Sequence, residues 1–136
     1  MSSKAEQVLE LVKVLLLGAT GAGQSVSRGR VDPFAPDELP ALNVRRGPTD
    51  ETAWAQGQDH IALTFDIDVE VRGADWETQA DTLQEQVYAL LKGSAPLQAL
   101  VSGLRRISTD PTAESGDGVA GRITARFQCQ FLQRRG

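Results

Sequence analysis

Ile61-Ala-Leu-Thr-Phe-Asp-Ile-Asp-Val-Glu-Val-Arg72 alternates without a break: Ile61, Leu63, Phe65, Ile67, Val69 and Val71 are apolar, and the residues between them are small, polar or charged. Successive side chains of a strand point to opposite sides, so this period of two predicts a half-buried antiparallel strand about 36 Å long. The pattern returns near the other end of the chain, where Ile123, Ala125, Phe127, Cys129 and Phe131 alternate with Arg122, Thr124, Arg126, Gln128 and Gln130. Two long strands with one apolar side each are expected to pair antiparallel. They would then share a core on one face and bring Arg122 or Arg126 near Asp66, Asp68 or Glu70 on the other.

Working outward, Val8, Leu11, Val12, Leu15 and Leu16 follow the i, i+3, i+4, i+7, i+8 spacing of an amphipathic helix over residues 4 to 17, with Gly18 as its stop. Beyond the first long strand, Gly73 breaks the alternation and Asp75 is a suitable N-cap. The helix it opens carries Trp76, Ala80, Leu83, Val87 and Leu90 or Leu91 on one side, and Lys92 and Gly93 close it. The expected fold class is α+β, a mainly antiparallel sheet with two amphipathic helices packed on one face, as a single domain over residues 1 to 136. Short strands are predicted at Ser25 to Val31, Ala41 to Arg46 and Leu104 to Thr109, and a helical turn at Leu97 to Gly103. Residues 47 to 59 mix breakers and polar residues without period and predict a long mobile loop; Asp110 to Gly121 predicts a hairpin-type connection.

Composition narrows the function classes. The chain is 40% hydrophobic and 24% charged, ordinary for a globular protein, and aromatics at 5% imply a mainly aliphatic core. No apolar run, Val14 to Leu17 included, approaches the roughly 20 residues that span a bilayer, and the N-terminal residues lack the apolar region of a secretory signal. The expectation is a protein made and used in a cytoplasm. Cys129 and His60 are the only cysteine and histidine, which excludes an internal disulfide and any Cys- or His-rich metal cage. Net charge is -4, but residues 50 to 86 hold ten acids and one base, so an acidic middle lies between mildly basic ends. A nucleic-acid binder would show a clustered basic excess instead, whereas segregated charge suits contacts within a fold or between copies of it.

The run Val14-Leu-Leu-Leu-Gly-Ala-Thr-Gly-Ala-Gly-Gln-Ser25 imitates a strand feeding a phosphate loop, with Gly18, Gly23 and Ser25 at the required spacing. Gln24 stands where the phosphate-binding lysine belongs, and Arg28-Gly29-Arg30 followed by Pro33 and Pro36 leaves no room for the helix that must follow. The run is expected to be a flexible turn with no cofactor; a small nucleotide-binding protein using Gly18 to Ser25 is the remote alternative. Cys129, between Phe127 and Phe131, is expected to be a buried hydrophobe without catalytic use. Asp66, Asp68 and Glu70 could hold a cation in principle, but a solvated strand face or cross-strand pairing with arginines outweighs that reading, and no metal ligand set is assigned. Trp54, in the polar segment, is either folded back on the domain or an anchor for a partner. The candidate interface is therefore Trp54, Asp66, Asp68, Glu70, Arg122 and Arg126, with no catalytic residue.

Three stretches carry a resemblance: Arg28-Gly-Arg-Val-Asp-Pro-Phe-Ala-Pro-Asp-Glu-Leu-Pro-Ala-Leu-Asn-Val44, Asp66-Ile-Asp-Val-Glu-Val-Arg-Gly-Ala-Asp75 and Gly121-Arg-Ile-Thr-Ala-Arg-Phe-Gln-Cys-Gln-Phe131. In these phrases and in the order of elements, the chain resembles the phage tail-terminator, or minor-tail-protein-U-like, family over about residues 5 to 132. The resemblance implies a non-enzymatic structural protein of a phage or prophage virion tail, assembled in the host cytoplasm. It would form a homo-oligomeric ring, usually hexameric, on the tail-tube protein, stop tube growth and present a surface to the head-tail connector. DNA would pass through the ring without sequence-specific binding. A neck or tail-completion protein at the head-tail interface is the alternative.

Overall fold

The computed structural model describes residues 3 to 114 and 120 to 134. Helix α1 (Lys4–Leu16) is followed by strand β1 (Val26–Arg28), a single 3-10 turn at Pro36–Glu38, and strands β2 (Ala41–Ala53) and β3 (Gln58–Arg72). Helices α2 (Trp76–Lys92) and α3 (Ala95–Leu100) then lead to strands β4 (Ser102–Glu114) and β5 (Ala120–Arg134). The five strands form one sheet in the order β1-β2-β3-β5-β4, antiparallel except for the β1–β2 pair, and the helices lie on one face. The α+β expectation thus holds, and the helical turn expected at Leu97 to Gly103 is the short helix α3, shifted to Ala95–Leu100, with Ser102 and Gly103 already in β4. No described helix is long and apolar enough to cross a membrane.

The two strands with unbroken alternation occupy the middle of the sheet. β3 and β5 pair antiparallel through fifteen consecutive rungs, from Gln58↔Arg134 to Arg72↔Ala120. On the helix side of these rungs Leu63, Phe65, Ile67, Val69, Ala125, Phe127 and Cys129 are fully or almost fully buried. Phe65 and Phe127 face each other across one rung with stacked rings 5.4 Å apart, and Tyr88 of α2 meets Phe127 edge-on at 5.8 Å. Val8, Leu9, Val12 and Leu16 of α1 and Ala80, Val87 and Leu91 of α2 complete the core. Trp76 lies flat over Gly121, where a Cβ would come within 2.1 Å of the ring, so only glycine admits this packing.

Local chemistry sets the helix limits. Ser3 Oγ accepts from the Glu6 amide at 3.2 Å and opens α1, and Gly18 follows its end at φ +70, the left-handed conformation that closes a helix. Asp75 takes the N-cap position of α2, yet its Oδ1 accepts from Gln79 Nε2 at 2.6 Å and caps no backbone amide. Ser94 caps α3 by accepting from Leu97 at 3.2 Å.

Three expectations about the strands and the segments joining them need correction. The strand expected over Ser25 to Val31 is confined to Val26–Arg28, because the chain leaves the sheet at Gly29, φ +60. Residues 47 to 59 are not a long loop: β2 continues to Ala53, β3 begins at Gln58, and only the Trp54–Gly57 turn lies between them, with positive φ at Gln56 and Gly57. The strand expected at Leu104 to Thr109 spans Ser102–Glu114. The cause is the same in both long strands. β2 bulges between Arg46 and Thr49, so its core-facing positions change from Leu42, Val44 and Arg46 to Thr49 and Glu51, and β4 shifts register twice. One extra residue inverts the parity of everything after it. Gly47 is required at the first bulge, where a Cβ would lie 2.6 Å from the Thr64 carbonyl oxygen. The hairpin-type connection expected from Asp110 falls partly on residues 115 to 119, outside the described residues.

The segment Gly18 to Gly23 is a hydrogen-bonded turn and not a free one. The Gly18 amide donates to Gly23 O at 2.7 Å, the Gly23 amide to Thr20 O at 3.0 Å, and the Gly21 amide to Gln86 Oε1 of α2 at 3.2 Å. Amides that a phosphate loop would aim at its ligand are engaged inside the protein.

Candidate functional site: the outer face of the sheet

Odd-numbered residues of β3 and β5 point to the helices, so even-numbered ones form a face that no helix covers. Three rungs fill its centre: Arg45–Asp66–Arg126, Asn43–Asp68–Thr124 and Ala41–Glu70–Arg122, each running from β2 through β3 to β5. Five of the six residues expected to form the interface, Asp66, Asp68, Glu70, Arg122 and Arg126, are thereby brought together. The sixth, Trp54, sits apart at the β2–β3 turn, 62% exposed, its ring 5.7 Å from that of His60.

The acids do not lie on a solvated surface. Asp66 and Asp68 are only 6% and 3% exposed, because arginines reach over them. Arg126 grips Asp66 through Nε at 2.9 Å and Nη2 at 3.1 Å. Arg45 grips Asp68 through Nε at 2.6 Å and Nη2 at 3.0 Å, and its Nη2 also lies 3.6 Å from Asp66. Thr124 Oγ1 donates to Asp68 Oδ1 at 2.7 Å. Two-pronged guanidinium–carboxylate contacts of this kind are the strong, directional ones. They hold Arg45 and Arg126 more firmly protonated than a free arginine, chiefly through the hydrogen bonds to Asp68 and Asp66 respectively. The side chains of Arg45 and Arg126 remain 43% and 49% exposed, so the face presents guanidinium groups to solvent above a buried carboxylate layer.

A strap closes one margin. Asn43 accepts from the Arg30 amide at 3.0 Å and donates to the Arg30 carbonyl at 2.9 Å, fixing the chain after β1 across the outer face. Arg30 then bridges to Glu38 by two bonds of 2.8 and 2.9 Å and lies 4.2 Å from the Phe34 ring. Between strap and sheet is a cavity of about 440 Å³ whose polar lining includes Arg30, Asn43, Arg45, Asp68, Glu70 and Arg122. Positive and negative groups alternate around it. No group of three or more His, Cys, Asp or Glu among the described residues is placed to hold a metal ion. Cys129 is fully buried on the opposite face, and burial pushes its thiol up to about 12, so it is not poised as a nucleophile.

Arg45, Asn43, Thr124 and Arg30 were missed as site residues. Arg45 and Asn43 had a usable signal, since they alternate with Leu42 and Val44 in a strand that was foreseen; pairing that strand with the long one would have placed them beside Asp66 and Asp68. Arg30 had none, because its position depends on the course of an irregular segment.

No family model and no curated protein matches the chain. Among solved structures it is similar to a chain of the "Virion of native gene transfer agent (GTA) particle", with 16% identity over 95% of this chain and 92% of that one and a TM-score of 0.46. A second solved chain is 18% identical over 96% of this chain and 97% of its own, also with a TM-score of 0.46. Likenesses this distant carry no argument about what the protein does.

Proposed function

We propose that the protein is a structural component of a phage or prophage tail that assembles as a ring on the end of the tail tube, stops its polymerisation and offers a surface for head joining. The observation that carries this reading is the outer sheet face. It is a broad, helix-free surface built from ion pairs, with its acids locked beneath half-exposed arginines. Such a face is rigid before any partner arrives, which suits protein–protein contact more than turnover of a small molecule. The β2–β3 hairpin adds a second contact element, because its tip projects with Trp54 exposed. The resemblance of Arg28 to Val44, Asp66 to Asp75 and Gly121 to Phe131 to the tail-terminator family supplies the specific role. Its partners are then further copies of itself, the tail-tube protein and the head-tail connector.

The test is tube length. Tail-tube protein polymerised with and without this protein and measured by electron microscopy is expected to give short, uniform tubes only in its presence. Trp54→Ala, which alters the hairpin tip without touching the core, is expected to weaken that arrest. Equal elongation with and without the intact protein would sink the capping reading and favour a neck protein at the head-tail interface.

A further inference from the structure

On the helix side of the sheet, one flank of α2 is acidic. Glu77, Asp81 and Glu85 follow one another at four-residue intervals along α2 and are exposed; Glu77 and Asp81 line, with Thr109, Pro111 and Ile123, a groove between α2 and the edge of the sheet. Glu85 is held by Arg106 at 2.9 Å. Glu77 and Asp81 have no ion-pair partner among the described residues; Asp81 receives only a hydrogen bond from Gln84, at 3.1 Å. On the outer face Arg105 is exposed and likewise has no ion-pair partner among the described residues. Arg126 commits Nε and Nη2 to Asp66 and leaves Nη1 directed to neither Asp66 oxygen. The layered fold therefore places exposed carboxylates without ion-pair partners among the described residues on the helix side of the sheet and half-exposed or exposed guanidinium groups on the outer side.

We propose that these two surfaces dock head-to-tail: the Glu77–Asp81 ridge of one copy of this chain seats on the Arg105–Arg126 region of the next. This rests on the reading of the protein as a ring-forming component and names the contact that would build the ring. The spacings agree. Glu77 and Asp81 are one helical turn apart, about 6 Å along the axis. Arg105 stands opposite Gln128, two residues from Arg126 on the neighbouring strand, which separates the two arginines by about 8 Å. Long side chains absorb the difference. A head-to-tail contact requires two different patches on each copy, as here, and not one self-complementary patch. A contact centred on two exposed carboxylates and two exposed or half-exposed guanidinium groups is screened by salt, which predicts weak, salt-sensitive association by the isolated protein.

Two variants and their mixture test the contact. Glu77→Lys/Asp81→Lys makes both surfaces basic; Arg105→Glu/Arg126→Gln makes the outer face acidic while Asp66 keeps Arg45 nearby. Sedimentation velocity over a protein concentration series at low and high salt gives the association constants, with circular dichroism confirming that each variant folds. Each variant alone is expected to self-associate roughly tenfold more weakly than the parent. An equimolar mixture is expected to recover association, because every junction between unlike copies is again acid against base. Recovery only in the mixture, lost at high salt, supports the contact. Unchanged association of the variants, no association of the parent at any concentration, or no recovery on mixing overturns it. A labelled DNA duplex is the final arm: binding abolished by the arginine variant and unaffected by the ridge variant, without self-association, assigns the arginine face to nucleic acid and overturns the proposal. Tube arrest is a separate readout, so a protein that caps tubes yet fails these tests retains its capping role and loses only this interface.

Discussion

Two adjacent rungs of the same strand pair behave as different materials. Phe65↔Phe127 is sealed under α2, with both rings fully buried. Asp66↔Arg126, one residue further along, faces away from every helix and is bound by two hydrogen bonds. The first rung gains from removing apolar surface from water, a gain that needs no particular orientation. The second gains only while guanidinium and carboxylate stay aligned, and its net contribution is small because the Asp66 carboxylate had to be desolvated while Arg126 remains half in water. Stability is therefore concentrated on one face, and orientation is specified by the other.

Mutation can break that contrast. Phe127→Ala is expected to cost about 3 to 5 kcal/mol in chemical denaturation, since it removes a buried ring and leaves Phe65 and Tyr88 against a void. A loss below about 1 kcal/mol would mean that the helix face does not carry the fold. Arg45→Ala should cost less, about 1.5 to 3 kcal/mol, because it removes charge-assisted bonds to Asp68 while Thr124 still donates to that carboxylate. If Arg45→Ala proved the more damaging of the two in the same assay, the ranking of the faces would be reversed.

The smallest expected effect is that of acid, and it concerns the margins where the two faces meet. The Glu6 carboxyl is held below its ordinary value of 4.5, first by the hydrogen bond from Arg28, with Arg46 assisting. Glu38 is lowered by Arg30 and Glu85 by Arg106. Each folded pKa lies under the unfolded one, so the ionised carboxylates favour the folded state above about pH 4.5 and that contribution is lost as pH falls through the folded values. These groups are solvent-exposed, and screening keeps their share modest. Thermal midpoints should be flat around neutrality and decline below about pH 4.5; a midpoint that rises on acidification would contradict the assignment.

What the sequence made legible follows from the same physics. β3 and β5 were readable, together with their pairing and the meeting of Asp66 with Arg126, because their fifteen rungs contain no bulge and one face is covered throughout. β2 and β4 were readable only in part. Thr49 to Ala53 and Thr109 to Ala113 are largely exposed, which leaves little apolar alternation, and the bulges beside Gly47 and Ile107 invert what remains. The burial of Asp66 and Asp68 could not be read locally at all. It depends on Arg45, which arrives from another strand, and on a strap whose course is set by Asn43 and Arg30.

The Asp66–Arg126 pair joins positions 60 residues apart, with α2, α3 and β4 between them. During synthesis the β2–β3 hairpin emerges first and pairs locally, whereas its free edge waits for β5. Throughout that interval Asp66 has Arg45 close by but not Arg126, and Asp68 lacks Thr124. The outer face thus acquires its final charge pattern only when distant parts of the chain have closed on each other, and a chain stalled before β5 would offer incoming subunits an acidic, incomplete surface. Assembly built on this face would reject immature copies without any separate inspection step.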